Sequence, residues 1–168
     1  SGKTSTIRTT LGIYVPDGGS VDVLGSRDPL SVRHRVGYLP EERGLYAKMK
    51  VVEQLAFLAS IRGLDQKEST RRAGAWLDRV SLSDNAQSLT SELSKGMQQK
   101  VQFASAVIRD PDLVVLDEPF TGLDPVNTRL LKELILEQRK RGARRKHIAG
   151  QAGRHFVLII VGMTMLLP

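Results

Sequence analysis

The 168-residue sequence contains no cysteine, and only 5% of its residues are aromatic. Disulfide bonds, thiolate nucleophiles and cysteine-ligated metal centres are therefore excluded. The three histidines, at positions 34, 147 and 155, are scattered along the chain. The only apolar run that resembles a membrane segment is 156–167. It is shorter than the about 20 residues that a membrane-crossing helix needs. Residues 1–15 lack the apolar stretch of a secretory signal, so an exported disulfide scaffold is not expected.

Positive charge is concentrated at one end of the chain. The formal net charge is +7, but residues 1–137 contain equal numbers of basic and acidic residues. The whole excess lies in residues 138–168, which contain no acidic residue. No aromatic residue interleaves with the basic cluster, so a nucleic-acid partner is not expected. Three interpretations of the tail stay open: a basic and apolar membrane-associated segment, an RNA-binding arm, or an unstructured end.

The hydrophobic pattern predicts a single α/β domain with a mainly parallel sheet. The apolar run 113–116, bounded by a proline on each side, is typical of a strand buried on both faces. Alternation and turn residues predict further short strands at 21–24 and 36–39. Helical periodicity predicts an inserted helical subdomain at about 48–110. Helices are expected after residue 4, from 51 to Gly63, at 66–80, at 97–108 and at 125–141, with Gly142 as the last helix stop.

The first chemical motif is Gly2-Lys3-Thr4 at the start of the first predicted helix. It matches the end of the phosphate-binding loop G-x-x-x-x-G-K-[ST]. In that loop the backbone N–H groups surround phosphate, the lysine neutralises charge, and the hydroxyl binds Mg²⁺. The tripeptide alone is a weak signal, because an ordinary helix start has the same residues.

A second motif is the acidic pair Asp117-Glu118, directly after the buried strand. The carboxyl ends of strands in α/β sheets face ligand crevices. Adjacent carboxylates repel unless a cation or proton lies between them, so Asp117 is a candidate for holding Mg²⁺ through water. Glu118 is then a candidate for polarising an attacking water. The alternative is a solvated acidic turn.

The third motif is Leu93-Ser94-Lys95-Gly96-Met97-Gln98, which begins a helix with a serine cap. Free N–H groups and the positive end of the helix dipole meet there, so the turn is suited to an anion. A capped helix with nothing bound is the alternative interpretation.

Taken in order, these motifs resemble the nucleotide-binding domain of ABC transporters over about residues 1–142. The first tripeptide resembles the end of the family's Walker A loop, and Tyr38-Leu39-Pro40-Glu41 lies at the place of the Q-loop. The serine-capped helix start resembles the signature motif, 113–118 the Walker B strand, and Thr121-Gly122-Leu123-Asp124 the D-loop. The resemblance implies a P-loop NTPase-type fold, here incomplete, with 143–168 as a divergent tail.

The resemblance also implies a mechanism in which two such domains pack head to tail around two ATP molecules. Mg²⁺ would be bound by Thr4, Glu41 and Asp117, and Glu118 would be the catalytic base. ATP would further be bound by a set of residues from the loop, the signature and the D-loop: Gly2, Lys3, Thr4, Ser5, Ser94, Lys95, Gly96 and Asp124. The implied partners are a membrane-spanning transporter subunit and a second ATP-binding domain. The implied location is cytoplasmic, at the inner face of the cell membrane.

Several residues depart from the family pattern. Glu41 replaces the usual glutamine, and Lys95 and Met97 replace the usual glycine and glutamine of the signature. The first half of the phosphate loop would precede Ser1, and 143–147 is too charged for the buried strand that the family has next. Impaired activity is therefore expected. Two other functions stay open: a soluble ABC-type ATPase acting on DNA or ribosomes, and a non-catalytic remnant.

Overall fold

The computed structural model describes residues 2–41, 44–148 and 157–161, with only the backbone described for Lys3, 142–148 and 157–161. Five α-helices and three β-strands are formed by these residues. In chain order they are α1 Lys3–Thr10, β1 Val36–Leu39, α2 Val51–Ser60, α3 Gln66–Arg79, α4 Lys95–Val107, β2 Leu113–Asp117, α5 Pro125–Ile148 and β3 Val157–Val161. Short 3-10 turns lie at Arg33–Arg35, Ser83–Asn85 and Thr90–Glu92.

The three described strands form one parallel sheet in the order β1-β2-β3. Leu113 of β2 is paired with Val36 on one side and with Val157 on the other. All five residues of β2 are buried, as expected for a central strand covered on both faces. The predicted α/β fold is confirmed.

The two faces of the sheet belong to two apolar clusters. Leu39, Val114 and Leu116 pack with α2, α3, α4 and α5 in the larger cluster. Leu113 and Val115 point to the opposite face and pack with Ile7 of α1. Helix α1 is thereby fixed on one side of the sheet, with its first turn near the carboxyl end of β2.

Helix α4 lies very close to strand β1 at Gly37. A Cβ atom added to Gly37 would lie 2.2 Å from the backbone oxygen of Ala106 and 3.0 Å from Cγ of Pro111. No side chain larger than hydrogen fits there without moving the helix or the strand. The absence of a side chain at Gly37 therefore sets how closely α4 approaches the sheet.

The three helices between β1 and β2 agree closely with the predicted helical segments. Asp65 caps α3 by accepting a hydrogen bond from the Glu68 amide at 2.8 Å. Trp76 of α3 meets Phe103 of α4 edge to face, with ring centroids 6.1 Å apart. Their treatment as a separate subdomain at about 48–110 stays a prediction.

The predicted strand at 21–24 is wrong. The chain there makes only an isolated bridge between Val23 and Ser26. Leu24 and Gly25 both have positive φ angles, 54° and 82°, so the backbone reverses immediately. Val23 is buried against the small cluster, which explains the apolar alternation without a strand.

The predicted helix end at Gly142 is also wrong, because α5 continues to Ile148. A glycine inside a helix costs only about 1 kcal/mol relative to alanine, and alanine, arginine and lysine, which favour helix, follow it. Residues 143–147 lie in this helix, so the prediction that they do not form the next buried strand is confirmed; a further strand, β3, lies later in the chain and pairs with the whole of β2. Its Val and Ile residues suit a place beside a buried strand. An unstructured tail is therefore contradicted at 157–161, while the predictions for 149–156 and 162–168 lie outside the described residues.

None of the helices among the described residues combines the length and the apolar character needed to cross a membrane.

Candidate functional site

The first turn of α1 and the carboxyl end of β2 meet through two side chains. The hydroxyl Oγ1 of Thr4 donates a hydrogen bond to Oδ2 of Asp117 at 3.1 Å, across 113 positions of sequence. Asp117 is only 2% exposed, because it is the last residue of the central strand. The structure therefore brings together two residues that the sequence selected separately.

The start of α1 has the backbone geometry of an anion site. Gly2 occupies the N-cap position and provides no side-chain cap. The amides of the first helical turn, including Ser5, have no carbonyl four positions earlier in the helix to bind. Gly2 and Ser5 are exposed, so this positive end of the helix is accessible to a ligand. The Lys3 side chain lies outside the described residues.

Glu118 stands directly after the strand in an unusual conformation. Its φ angle is 47°, a left-handed value that is uncommon for a residue with a side chain. The hydroxyl of Thr121 donates to Glu118 Oε2 at 3.0 Å, and the Thr121 amide donates to the Glu118 backbone oxygen at 3.2 Å. Thr121 thus orients the carboxylate. Sequence reasoning assigned Thr121 to a motif but did not find this bond, which depends on the turn.

Glu41 lies at the same edge of the sheet but is not joined to the other two candidate metal ligands. Leu39 pairs with Leu116, so the chain leaves β1 beside the point where β2 ends. Glu41 is exposed, and within the described residues no hydrogen bond joins it to Thr4 or Asp117. The neighbouring Tyr38 has a raised pKa, first because it is buried and second because it lies near the Asp117 charge.

The signature residues form a capped helix start, as the sequence predicts. Oγ of Ser94 accepts a hydrogen bond from the Met97 amide at 3.3 Å. Ser94 and Lys95 are exposed and Gly96 is buried. The first turn of α4 therefore presents a hydroxyl, an ammonium and the positive end of a helix dipole.

Asp124 caps helix α5, and in the part of the chain that the structure describes no hydrogen bond joins it to Thr4 or Asp117. Its Oδ1 accepts from the amides of Val126 and Asn127, each at 3.0 Å. The Asn127 side-chain amide donates to Oδ2. These bonds, the backbone bond from Asn127 first, hold the pKa of Asp124 below its ordinary value. Among the described residues, the side-chain hydrogen bonds of Asp124 all lie within its own turn.

The geometry thus has two groups. One contains Thr4, Asp117 and Glu118, and the other contains the α4 start beside the 120–127 segment. Thr121 of the 120–127 segment binds Glu118, but among the described residues no hydrogen bond joins Ser94, Lys95 or Gly96 to Thr4, Asp117 or Glu118. The described residues as a whole contain no cluster of three or more His, Asp or Glu side chains suited to a metal.

A family model, curated relatives and a solved structure all indicate the same family. The family model described as "ABC transporter" matches residues 1–121. The uncharacterized ABC transporter ATP-binding protein YhaQ of Bacillus subtilis (strain 168) is 46% identical over 142 residues, which are 84% of this chain and 48% of that protein. The Nod factor export ATP-binding protein I of Cupriavidus pinatubonensis is 38% identical over 138 residues, which are 80% of this chain and 42% of that protein.

A solved structure described as the ATP-binding subunit of an ABC transporter superposes with a TM-score of 0.77 at 31% identity, covering 96% of this chain and 64% of that one. The chain spans about half the length of the curated relatives that it matches.

Proposed function

Because the chain belongs to the ABC transporter family, we propose that it binds Mg-ATP and takes part in its hydrolysis as an ATP-binding subunit. The single observation that supports this most is the Thr4–Asp117 hydrogen bond. It places a hydroxyl of the loop-to-helix motif against the carboxylate that follows the central strand. Both the activity of the whole protein and the turnover of ATP by this chain are part of the proposal.

The donor atoms suit Mg²⁺. A hydroxyl and a carboxylate are hard oxygen ligands, and Mg²⁺ in proteins is typically held by one or two such groups with several waters. Thr4 and Asp117 would hold it in this proposal, and Glu41 is a further candidate. Bound Mg²⁺ would neutralise charge on the phosphate oxygens. The Asp117 carboxylate is kept in place by burial and by the Thr4 hydroxyl.

The phosphates of ATP would lie against the start of α1. Gly2, Thr4 and Ser5 provide backbone N–H groups there, and Lys3 would add a positive charge. The exposure of Gly2 and Ser5 supports access by a ligand from solvent.

Glu118 would be the base that accepts a proton from the attacking water. Thr121 binds only Oε2 of its carboxylate, and Oε1 has no hydrogen-bond partner among the described residues. A half-buried carboxylate that is held at one oxygen and open at the other is arranged to orient a water molecule.

The signature turn would act on ATP held by another domain. Ser94, Lys95 and Gly96 form an anion-suited helix start, and no hydrogen bond among the described residues joins them to Thr4 or Asp117. A second copy packed head to tail would bring the two groups together on one triphosphate. Asp124 would lie at this interface, and Lys95 would add attraction for phosphate.

A membrane-spanning subunit is the proposed partner at an exposed aromatic pair. Tyr46 and Phe57 form an exposed edge-to-face pair, with ring centroids 5.8 Å apart and 52% and 39% of their surfaces exposed. Exposed aromatic pairs are common anchors of protein interfaces. The corresponding location is cytoplasmic, at the inner face of the membrane.

Thermal unfolding with increasing Mg-ATP tests the binding. A specific site raises the melting temperature with ligand concentration. Lys3→Ala should reduce the rise strongly, whereas Lys67→Ala, at an exposed lysine on α3, should not.

Hydrolysis is tested by phosphate release, which Glu118→Gln should abolish while binding remains. Equal melting shifts for wild type and Lys3→Ala, or unchanged turnover in Glu118→Gln, would contradict the respective role.

A further inference from the structure

We propose that Asn127 is a positioning residue that ties Asp124 to the start of helix α4, so that displacement of the signature turn changes how Asp124 is held. The inference rests on the proposed function for its significance, because Ser94, Gly96 and Asp124 are groups proposed to face ATP and a second copy. The contacts that support it all lie within one chain.

The first contact lies between Gly96 and Asn127. A Cβ atom built on Gly96 would lie 3.0 Å from Nδ2 of Asn127 and 3.5 Å from Cδ2 of Leu123. The Asn127 amide therefore occupies the space beside the α4 backbone. A methyl group added at position 96 would therefore press on the Asn127 amide, which would have to shift by a few tenths of an ångström.

The second contact joins Asn127 to Asp124. The same Nδ2 atom that borders Gly96 donates a hydrogen bond to Asp124 Oδ2. The Asn127 backbone amide binds the other carboxylate oxygen at 3.0 Å. One amide group thus contacts both the signature turn and the carboxylate, and displacement of the amide weakens one of the bonds on Asp124.

Two further contacts pack the same face of α4 against the loop before α5. Gln99, one turn after Gly96, donates from Nε2 to the Pro119 oxygen at 3.2 Å in a buried position. Lys100 is only 6% exposed and lies near the Asp124 charge, while burial lowers the pKa of Lys100. The helix start and the segment that follows Glu118 therefore form one packed unit. Within this unit, the Asn127 side chain both borders Gly96 and donates a hydrogen bond to Asp124.

The experiment follows the Asp124 carboxyl by NMR titration in the full chain without nucleotide. Gly96→Ala introduces the methyl group that displaces the Asn127 amide, and Asn127→Ala removes the amide. Both single variants should raise the pKa of Asp124, because each loses a hydrogen bond to the carboxylate. In the double variant Asn127→Ala/Gly96→Ala, the pKa of Asp124 should be no higher than in Asn127→Ala alone. Val126→Ala is the matched control, since Val126 is on the same turn and 78% exposed.

Two results would overturn the proposal. One is a pKa of Asp124 that does not change in Asn127→Ala. The other is a Gly96→Ala effect that is equally large with and without Asn127, since the coupling would then run through another contact. If Gly96→Ala does not fold, Asn127→Asp replaces it: a second carboxylate beside Asp124 should raise the pKa of Asp124, and no rise would refute the role. None of these titrations contains ATP, so failure of the proposed function leaves their interpretation unchanged.

Discussion

The hydroxyl of Thr4 lies 3.1 Å from a carboxylate oxygen of Asp117, and 113 positions separate the two residues along the chain. The parallel sheet produces this contact. Helix α1 packs on the face formed by Leu113 and Val115, and the same strand ends at Asp117. The contact joins the two motifs that carry the proposed nucleotide chemistry.

Gly37→Ala should destabilise the fold. The new methyl carbon would lie 2.2 Å from the Ala106 oxygen, and backbone cannot rotate away as a side chain can. Overpacking of this kind costs about 1–3 kcal/mol, and we expect the upper end of that range. Urea denaturation measures it. Gly18→Ala is the control, because no atom lies within 4 Å of the added carbon; equal midpoints for the two variants would contradict the close contact.

Much of this architecture could be predicted from the sequence. The apolar run at 113–116 can be buried on both faces only in a central strand, and the 3.6-residue period identified α2, α3 and α4. The pairing of Thr4 with Asp117 was expected from the order of motifs. The strand and the helices follow from strong, local apolar patterns, whereas the pairing of Thr4 with Asp117 was implied by the resemblance to the family.

Other features depend on tertiary context that local patterns do not contain. Gly142 looked like a helix stop, but a single glycine costs less than the helix gains from continuing. Val21-Asp22-Val23-Leu24 alternates like a strand, yet the chain turns back at Leu24. The Thr121–Glu118 bond and the Asn127 contacts require backbone angles and helix distances that no spacing rule provides.

Thr121→Val should lower turnover without weakening ATP binding. The valine keeps the shape of threonine but cannot donate the hydrogen bond to Glu118. A hydrogen bond to a charged group contributes about 1.5–3 kcal/mol, so a loss of about tenfold in kcat is expected. Steady-state ATP hydrolysis measures it. Thr121→Ser keeps the hydroxyl and should recover most of the rate; a serine variant as slow as the valine variant would show that the hydroxyl does not orient Glu118.

Acid stability should depend on Glu68. Hydrogen bonds from Arg71 first and Arg72 second lower the pKa of Glu68 from 4.5 to about 2. Because the folded pKa is depressed, the stability gained from this carboxylate is present above pH 4.5 and is lost as pH falls toward 2. Thermal unfolding from pH 6 to 2 tests this.

Between pH 4.5 and 2, the melting temperature of Glu68→Gln should fall less steeply with decreasing pH than that of wild type. Glu133→Gln is the comparison, because the Arg129–Glu133 pair is more exposed, at 83% and 61%. A wild-type melting temperature that falls no faster than that of Glu68→Gln below pH 4.5 would contradict the assignment.

The most direct test of the account is Mn²⁺ binding in the presence of ATP, measured by electron paramagnetic resonance with Mn²⁺ in place of Mg²⁺. Wild type should bind the Mn-ATP complex. Thr4→Val, which removes the hydroxyl, and Asp117→Asn, which removes the carboxylate charge, should each weaken binding by about tenfold. Asp17→Asn, an exposed carboxylate in a turn, should have no effect. If Asp117→Asn bound Mn-ATP as tightly as wild type, the joint role of Thr4 and Asp117 would be contradicted.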